Sequence, residues 1–147
     1  MIKRHRDLPG MSAANWFVLT PENHPHLIAQ YPSLAYAILM PWIDGVTWSE
    51  VLYRQYLQDR KVPLMRQQCF RIALTFIKSV ASLESRGLAH CDLSRNNFII
   101  SEDFSRVELV GIDGLYGPGF ARPEHLSGGT AGYAPQWQLR AGAWDAA

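Results

Sequence analysis

The sequence feature that most constrains the fold is a long amphipathic pattern between positions 69 and 83. Its apolar residues recur at alternating steps of three and four, which keeps them on one face of an α-helix. The stripe consists of Cys69, Ile72, Ala73, Phe76, Ile77, Val80 and Leu83. Arg86 and Gly87 follow it, and glycine readily takes the left-handed conformation that ends a helix. We therefore predict a helix that is buried along this stripe and stops at Gly87.

Shorter segments on both sides of this helix predict strands and a second helix. Residues 36–40 are an apolar run stopped by a proline, which predicts a buried strand ending in a turn. Thr47 and Glu50 have the spacing of a capping box, so a short helix is expected to begin there. Phe98–Ile100 and residues 107–110 are separated by polar residues and predict a hairpin. The predicted fold class is α+β.

Length and charge narrow the classes of partner. With 147 residues the chain lies in the size range of one domain. Lys and Arg number 14 against 13 acidic residues, so there is no basic surplus of the kind that follows nucleic acid or an anionic membrane. No segment approaches the roughly 18 apolar residues of a membrane span. Cys69 and Cys91 are too few for a disulfide framework. We expect a cytoplasmic protein without a nucleic-acid or membrane partner.

The polar loop between the long helix and the hairpin carries the residues with the clearest chemistry. Residues 89–100 read A-H-C-D-L-S-R-N-N-F-I-I. This segment resembles the catalytic loop of the protein kinase family, H-R-D-L-x-x-x-N, with its Asp and Asn at the same spacing. The resemblance implies that Asp92 is catalytic and orients the attacking hydroxyl. It also implies that Asn97 binds Mg²⁺ and the nucleotide ATP, while His90 braces the loop.

Two positions depart from the family motif. Cys91 replaces its Arg, and Ser94 replaces the Lys common in Ser/Thr kinases. This form is more similar to atypical branches of the family, such as the RIO-type and related bacterial kinases. A purely structural interpretation is that Asp92 and Asn97 cap turns, since short polar side chains bond nearby backbone amides readily.

The resemblance implies a second metal carboxylate after the hairpin. Residues 107–117 read V-E-L-V-G-I-D-G-L-Y-G, which is similar to the strand that enters the D-F-G motif. If Ile112 ends that strand, Asp113 is the second Mg²⁺ ligand beside Asn97. If the strand is two residues shorter, Gly111 takes the ligand position and the carboxylate is lost. We favour Asp113, although an Asp-Gly turn would explain the same residue.

Two further segments resemble parts of the same family. Met40 ends the predicted strand and Trp42 follows it, as the hinge follows the last small-lobe strand in kinases, and the resemblance implies that this stretch contacts the adenine of ATP. Residues 129–136 read G-T-A-G-Y-A-P-Q and resemble the end of the activation segment, G-T-x-x-Y-x-A-P-E. The segment is one residue shorter than the motif, and Gln136 replaces its Glu.

The phosphate-binding elements of the family are not recognisable in this sequence. It contains no G-x-G-x-x-G, and Lys3 is at best the tail of a V-A-I-K strand. The resemblance therefore implies a single truncated kinase-like domain, mainly the helical lobe. We assign residues 1–40 to a small-lobe remnant and residues 41–147 to the large-lobe portion.

These features together predict a phosphotransferase that uses Mg·ATP to phosphorylate a hydroxyl acceptor. Transfer should be slow, because contacts that orient the phosphates supply most of the catalysis in this reaction class. The alternative is a catalytically silent, pseudokinase-like module that binds a partner. Trp137 and Trp144 would be difficult for a small domain to cover, which favours a protein partner or a second copy over exposed apolar surface.

Overall fold

The computed structural model describes residues 7–56, 64–120 and 129–133. These residues form the helices α1 Pro25–Gln30, α2 Trp48–Tyr56 and α3 Arg66–Glu84. The strands are β1 Phe17–Val18, β2 Ile38–Leu39, β3 Val46–Thr47, β4 Phe98–Ile100 and β5 Val107–Leu109. Strands β1 and β2 form one antiparallel sheet, and β3, β4 and β5 form a second in that order. The predicted α+β class is confirmed.

Several sequence predictions fall on other parts of the chain. Lys3, Gln136, Trp137 and Trp144 lie outside the described residues, so the structure gives no account of them. Of the segment that resembles the end of the activation segment, residues 129–133 are described.

The sequence predicts the end of helix α3, whereas its start carried no prediction. At its start, the Gln68 side chain accepts a hydrogen bond of 2.8 Å from the Met65 backbone N–H. At its end, Gly87 has φ of 67°, and the Leu88 N–H donates to the Leu83 carbonyl at 3.0 Å. This bond satisfies a carbonyl that the helix itself leaves free. The helix ends at Glu84, and the turn that closes it contains the left-handed Gly87 that the sequence predicts as its stop signal.

The buried face of α3 is narrower than predicted. Ile72, Ser79 and Leu83 are buried, and the Ser79 hydroxyl lies 3.5 Å from the Val107 carbonyl oxygen of β5. Cys69 and Ala73, by contrast, are exposed, and 61% of Ile77 is accessible to solvent. The prediction of a fully buried stripe is therefore wrong. Strand β5 contacts one side of the helix, and the Phe76 ring packs 4.9 Å from the ring of Phe98 in β4. The described residues leave the other members of the stripe exposed or half-buried.

The second sheet confirms the predicted hairpin and adds a strand to it. Phe98 pairs with Leu109, and Ile100 pairs with both Val107 and Val46 of β3. Thr47 ends β3, and its hydroxyl accepts a hydrogen bond of 3.2 Å from the Glu50 N–H at the start of α2. The helix cap was predicted, whereas a strand as short as β3 left no periodic signal in the sequence.

A segment near the start of the described chain belongs to the same core. Met11, Ala13 and Ala14 are fully or almost fully buried, and a 3₁₀ helix covers Ser12–Ala14. The Leu109 N–H of β5 donates to the Gly10 carbonyl at 2.7 Å, which fixes this segment to the edge of the sheet. The sequence analysis missed this contribution, because the segment has no helical or strand periodicity.

The strand predicted at residues 36–40 is shorter and more exposed than expected. Tyr36 has φ of 65°, a left-handed conformation that an extended strand cannot contain, so β2 begins at Ile38. Both residues of β2 are exposed, and 62% of Met40 is accessible. The prediction of a buried strand is wrong, because within the described chain β2 pairs with β1 alone.

Gly45 offers a stability test of the second sheet. Its φ is 140°, and a Cβ at this position would overlap the carbonyl oxygen of Ile100. We predict that Gly45→Ala destabilises the fold by about 2–4 kcal/mol, from backbone strain and forced displacement of β4.

Gly114→Ala is the matched control in urea unfolding. A Cβ there would lie 3.7 Å from the His90 carbonyl oxygen, an ordinary contact, so the change should stay within about 0.5 kcal/mol. Equal stability of the two variants would contradict the described packing of Gly45.

Candidate functional site

The loop between α3 and β4 is anchored at both ends by backbone hydrogen bonds. Ala89 and Tyr116 exchange two of them, with N···O distances of 2.8 and 2.9 Å. At the other end, the Val110 N–H donates to the Asn97 carbonyl at 2.9 Å. The loop is therefore fixed to the chain that follows β5, and its polar side chains are held in defined positions.

Asp92 and Asn97, predicted as catalytic and metal-binding residues, are in direct contact. The Asn97 Nδ2 donates to the Asp92 carboxylate Oδ2 at 2.8 Å and to the Asp92 backbone carbonyl at 2.9 Å. These bonds fix the orientation of the amide, because only its nitrogen can donate to a carboxylate. The Oδ1 oxygen of Asn97 consequently faces away from Asp92.

Thr130 also contacts the Asp92 carboxylate. Its backbone N–H donates to Asp92 Oδ1 at 2.9 Å, and its hydroxyl donates to the same oxygen at 2.7 Å. The two residues are 38 positions apart, so the contact depends on the tertiary fold. Sequence reasoning quoted the segment around Thr130 but gave this residue no role. The Gly-Thr pair of that segment was the available signal.

His90 connects the loop to the strand end from inside the core. It is 3% exposed, and its Nε2 lies 2.9 Å from the Val110 carbonyl oxygen, so it donates as Nε2–H. Its buried Nδ1 has no hydrogen-bond partner among the described residues. Burial lowers the pKa of His90, although the Val110 carbonyl and the charges of Asp92 and Asp113 oppose the shift. His90 is therefore neutral at pH 7.

Gly111 and Asp113, the two candidate positions for the second metal ligand, have different surroundings in the structure. Strand β5 ends at Leu109, and Ile112 lies in a 3₁₀ helix, so the premise that Ile112 ends the strand is wrong. Gly111 has φ of 67°, and a Cβ on it would lie 2.8 Å from Asn97 Oδ1. Gly111 is thus the residue beside Asn97, whereas Asp113 lies two residues further along the chain and is exposed.

An apolar cavity of about 550 Å³ adjoins this site. Its walls include Trp16, Ile99 and Ile112. Met40 and Trp42, the predicted hinge residues, lie at its rim, and Trp42 is 88% exposed. Gly111 and Asp113 line the same cavity. The structure therefore brings four of the residues from the sequence analysis to one opening, next to the Asp92–Asn97 pair.

The oxygen donors near this opening are few. Among the described residues, no group of three or more His, Cys, Asp and Glu side chains could hold a metal ion. Asn97 Oδ1 and the Asp113 carboxylate are oxygen donors of the type that Mg²⁺ prefers. Mg²⁺ sites commonly use one or two such protein groups together with substrate phosphates. These donors fit a Mg²⁺ ion carried by a nucleotide better than a site made by protein alone.

Cys91 does not have the properties of a nucleophile. Its Sγ donates to the Ala89 carbonyl at 3.5 Å, and burial raises the pKa of its thiol to about 11, partly offset by a backbone hydrogen bond to Tyr116. A thiol with this pKa is protonated at neutral pH. The chemistry of the loop therefore rests on its oxygen-bearing side chains.

Part of the chain is similar to a segment of a known receptor. No family model matches the sequence. The chain is 32% identical over 57 residues to an insulin-like peptide receptor of Hydra vulgaris. This similarity covers 35% of the chain and 4% of the receptor, far less than two thirds of the length of that relative. In the described part of the chain, no helix is both long and apolar enough to cross a bilayer.

The burial of His90 predicts how stability depends on pH. Because its pKa is lowered in the folded state, acid protonates the unfolded chain first. Stability should therefore fall as the pH drops below about 6.5, the ordinary value for His, until the lower folded pKa is reached. We predict that His90→Gln has a smaller loss of stability between pH 7.5 and 5.5 than the unchanged protein, measured by urea unfolding.

His26→Gln is the matched control for this measurement, because His26 is exposed. It should retain the full pH dependence. If His90→Gln and the unchanged protein lose the same free energy of unfolding on acidification, His90 is not the group responsible.

Proposed function

We propose that this chain is a kinase-like phosphotransferase domain that transfers the γ-phosphoryl group of Mg·ATP to a hydroxyl acceptor. The observation that carries the proposal is the Asp92–Asn97 pair, hydrogen-bonded at 2.8 Å beside a cavity of about 550 Å³. Asp92 supplies a carboxylate that can bind the acceptor hydroxyl, and Asn97 supplies an amide oxygen that can bind Mg²⁺. The cavity supplies an apolar space of the size that small-molecule sites have.

Asp92 has the geometry of the residue that orients the acceptor. Its Oδ2 and backbone carbonyl are both held by Asn97, so the carboxylate is fixed relative to the loop. Its Oδ1 already accepts a bond from a hydroxyl group, that of Thr130. A carboxylate so placed can align an acceptor hydroxyl and take its proton as the phosphoryl group is transferred.

The nucleotide is assigned to the cavity beside this pair. Adenine would lie against its apolar walls, with the chain around Met40 and Trp42 at the rim. Backbone groups of such a stretch can bind a purine edge whatever the side chains are, whereas the ring of Trp42 can add a stacking contact. This arrangement directs the phosphates towards Gly111, Asp113 and Asn97.

Asn97 and Asp113 are the residues assigned to Mg²⁺. When bound, the ion would neutralise charge on the phosphate oxygens. Asn97 contributes Oδ1, the oxygen that its bonds to Asp92 leave on the opposite side. Asp113 contributes an exposed carboxylate at the cavity. Gly111 leaves space beside Asn97 in which the phosphate end of the nucleotide can approach.

The proposal includes a partial kinase-like fold. Residues 1–40 would be a small-lobe remnant, to which the β1–β2 sheet belongs, and residues 41–147 the large-lobe portion. The cytoplasmic location belongs to the same proposal. Cys69 and Cys91 are both free thiols, which suits a reducing compartment.

Nucleotide binding tests the proposal directly. We predict that Mg·ATP raises the melting temperature, since a ligand at 100 times its Kd adds about 2.7 kcal/mol of stability. Asp113→Asn should remove most of the shift, because the carboxylate is lost. Asp92→Asn should keep most of the shift, because the backbone carbonyl of residue 92 still accepts from Asn97 Nδ2. It should lose phosphoryl transfer, because the carboxylate that takes the acceptor proton is removed.

Glu102→Gln is the control in both measurements, since Glu102 is an exposed acid in the β4–β5 turn. It should behave as the unchanged protein. The absence of any shift with Mg·ATP in the unchanged protein would refute the nucleotide site, and with it the proposed phosphotransferase.

A silent, pseudokinase-like binding module is the second candidate function. Gly111, rather than a carboxylate, lies beside Asn97, which removes one metal ligand from the expected position. The outer face of α3 also exposes Phe70, Leu74 and Ile77, which are spaced as one helical stripe. An apolar stripe of this kind suits a protein partner or a second copy of the chain.

Self-association tests this second candidate. We predict that light scattering shows the chain to be associated, and that Ile77→Glu shifts it towards monomer by placing a charge in the stripe. Lys78→Glu, on the neighbouring exposed position, is the control and should leave the association unchanged. A monodisperse monomer of normal stability at high concentration would argue against a covered apolar face.

A further inference from the structure

The outer edge of strand β2, the side that faces away from β1, carries backbone groups that can pair with another strand. Leu19 and Ala37 are a hydrogen-bonded pair of the β1–β2 ladder, since the Leu19 N–H donates to the Ala37 carbonyl at 2.9 Å. Bonded and non-bonded pairs alternate along an antiparallel ladder, so in the next pair, Val18 and Ile38, the backbone groups point away from the ladder. In the described part of the chain β2 pairs with β1 alone, which leaves Ile38 at an open edge.

This edge is apolar and belongs to the wall of the cavity. Ile38, Leu39 and Met40 are all exposed. Because side chains alternate along a strand, Ile38 and Met40 share one face, and both line the cavity of about 550 Å³. A strand added beside β2 would therefore continue the cavity wall with every second side chain and cover Leu39 with the others. A sheet of two strands is marginally stable by itself, so a third strand would also stabilise it.

The cavity has a charge that its described walls do not balance. Asp113 is the only charged residue among the described residues that line it. A nucleoside triphosphate would add several negative charges at the same end, and phosphoryl transfer depends on cationic groups that stabilise them. A polypeptide that completes the wall is therefore complementary if it carries a positive side chain.

Resting on the proposed function, we infer that the outer edge of β2 binds an extended segment of a partner polypeptide that supplies a Lys or Arg to the phosphates. The segment pairs with the backbone of Ile38 as an added strand, a mode in which main-chain hydrogen bonds give affinity and alternate side chains give specificity. Its long cationic side chain lies on the face shared with Ile38 and Met40 and extends into the cavity.

The charge argument favours a different polypeptide over a second copy of this chain at the edge. Pairing β2 with the β2 of another copy would bring Ile38 and Leu39 again, and neither carries a charge. The surface is also distinct from the apolar stripe of α3, because no residue of α3 is among the described residues that line this cavity.

Fluorescence anisotropy with short labelled peptides tests the docking edge without nucleotide. The probe is a capped peptide of alternating Val and Lys, which we expect to bind, whereas the same peptide N-methylated at every residue should not, because it cannot donate to the edge. Ile38→Pro should weaken binding by about tenfold, since it removes an N–H that points outward. Val18→Pro is the matched control, because it removes the corresponding outward N–H from β1, and it should bind the probe like the unchanged protein.

Three outcomes overturn the docking edge. These are no binding of the Val–Lys peptide, equal binding of its N-methylated form, and equal affinity of Ile38→Pro and Val18→Pro. If Ile38→Pro loses cooperative urea unfolding, the comparison of the two peptides on the unchanged protein decides alone. Self-association that Ile38→Pro abolishes, with no peptide binding, assigns the edge to a second copy and overturns the inference.

Calorimetric titration with Mg·ATP tests the cationic contribution. The Val–Lys peptide should lower the Kd of Mg·ATP by about tenfold, the usual effect of a charge-assisted hydrogen bond. A Val–Glu peptide, which can pair with the same edge, should not lower it. Ile38→Pro with the Val–Lys peptide is the control for direct binding of ATP to lysine and should keep the Kd of the chain without peptide.

The same titrations separate this inference from the proposed function. Mg·ATP binding that the Val–Lys peptide does not strengthen overturns the inference and leaves the nucleotide site intact. Peptide binding at the edge with no binding of Mg·ATP in any sample refutes the nucleotide site and the cationic contribution, and it supports the docking edge. Binding of neither peptide nor Mg·ATP overturns both proposals.

Discussion

The rest of the site depends on the two hydrogen bonds that join Val110 to Asn97 and His90, which we call the Val110 clamp. The Val110 N–H donates to the Asn97 carbonyl and the Val110 carbonyl accepts from His90, each at 2.9 Å. Both polar groups of one residue are thus satisfied by the loop that carries Asp92. Because His90 is buried and neutral, the clamp holds without a charge in the core. The clamp fixes the start of the Gly111 turn relative to Asn97.

Local signals in the sequence were enough to predict the elements that support this clamp. A capping threonine at Thr47 and a left-handed glycine at Gly87 act through neighbouring residues alone, so the start of α2 and the end of α3 could be predicted. Burial could not be predicted in the same way. The apolar period of α3 marks a face, but the position of β5 decides which part of it is covered, and that leaves Ile77 exposed.

The candidate site shows the same division between local and long-range information. The spacing of Asp92 and Asn97 within one loop could be read from the sequence, and the two side chains are in contact. The place of Asp113 could not, because it depended on where β5 ends, and a left-handed Gly111 interrupts the strand pattern. Thr130 was missed for a different reason, since 38 residues separate it from its carboxylate partner and no periodicity connects them.

The hydrogen bonds of Asp92 also determine when an acceptor hydroxyl can bind to its carboxylate. Each carboxylate oxygen can accept about two hydrogen bonds. Within the described part of the chain, Oδ1 accepts two, both from Thr130, whereas Oδ2 accepts one from Asn97. An external hydroxyl therefore cannot take the Oδ1 position while Thr130 is bound there. The Thr130 contact must therefore break before an acceptor hydroxyl can use that oxygen.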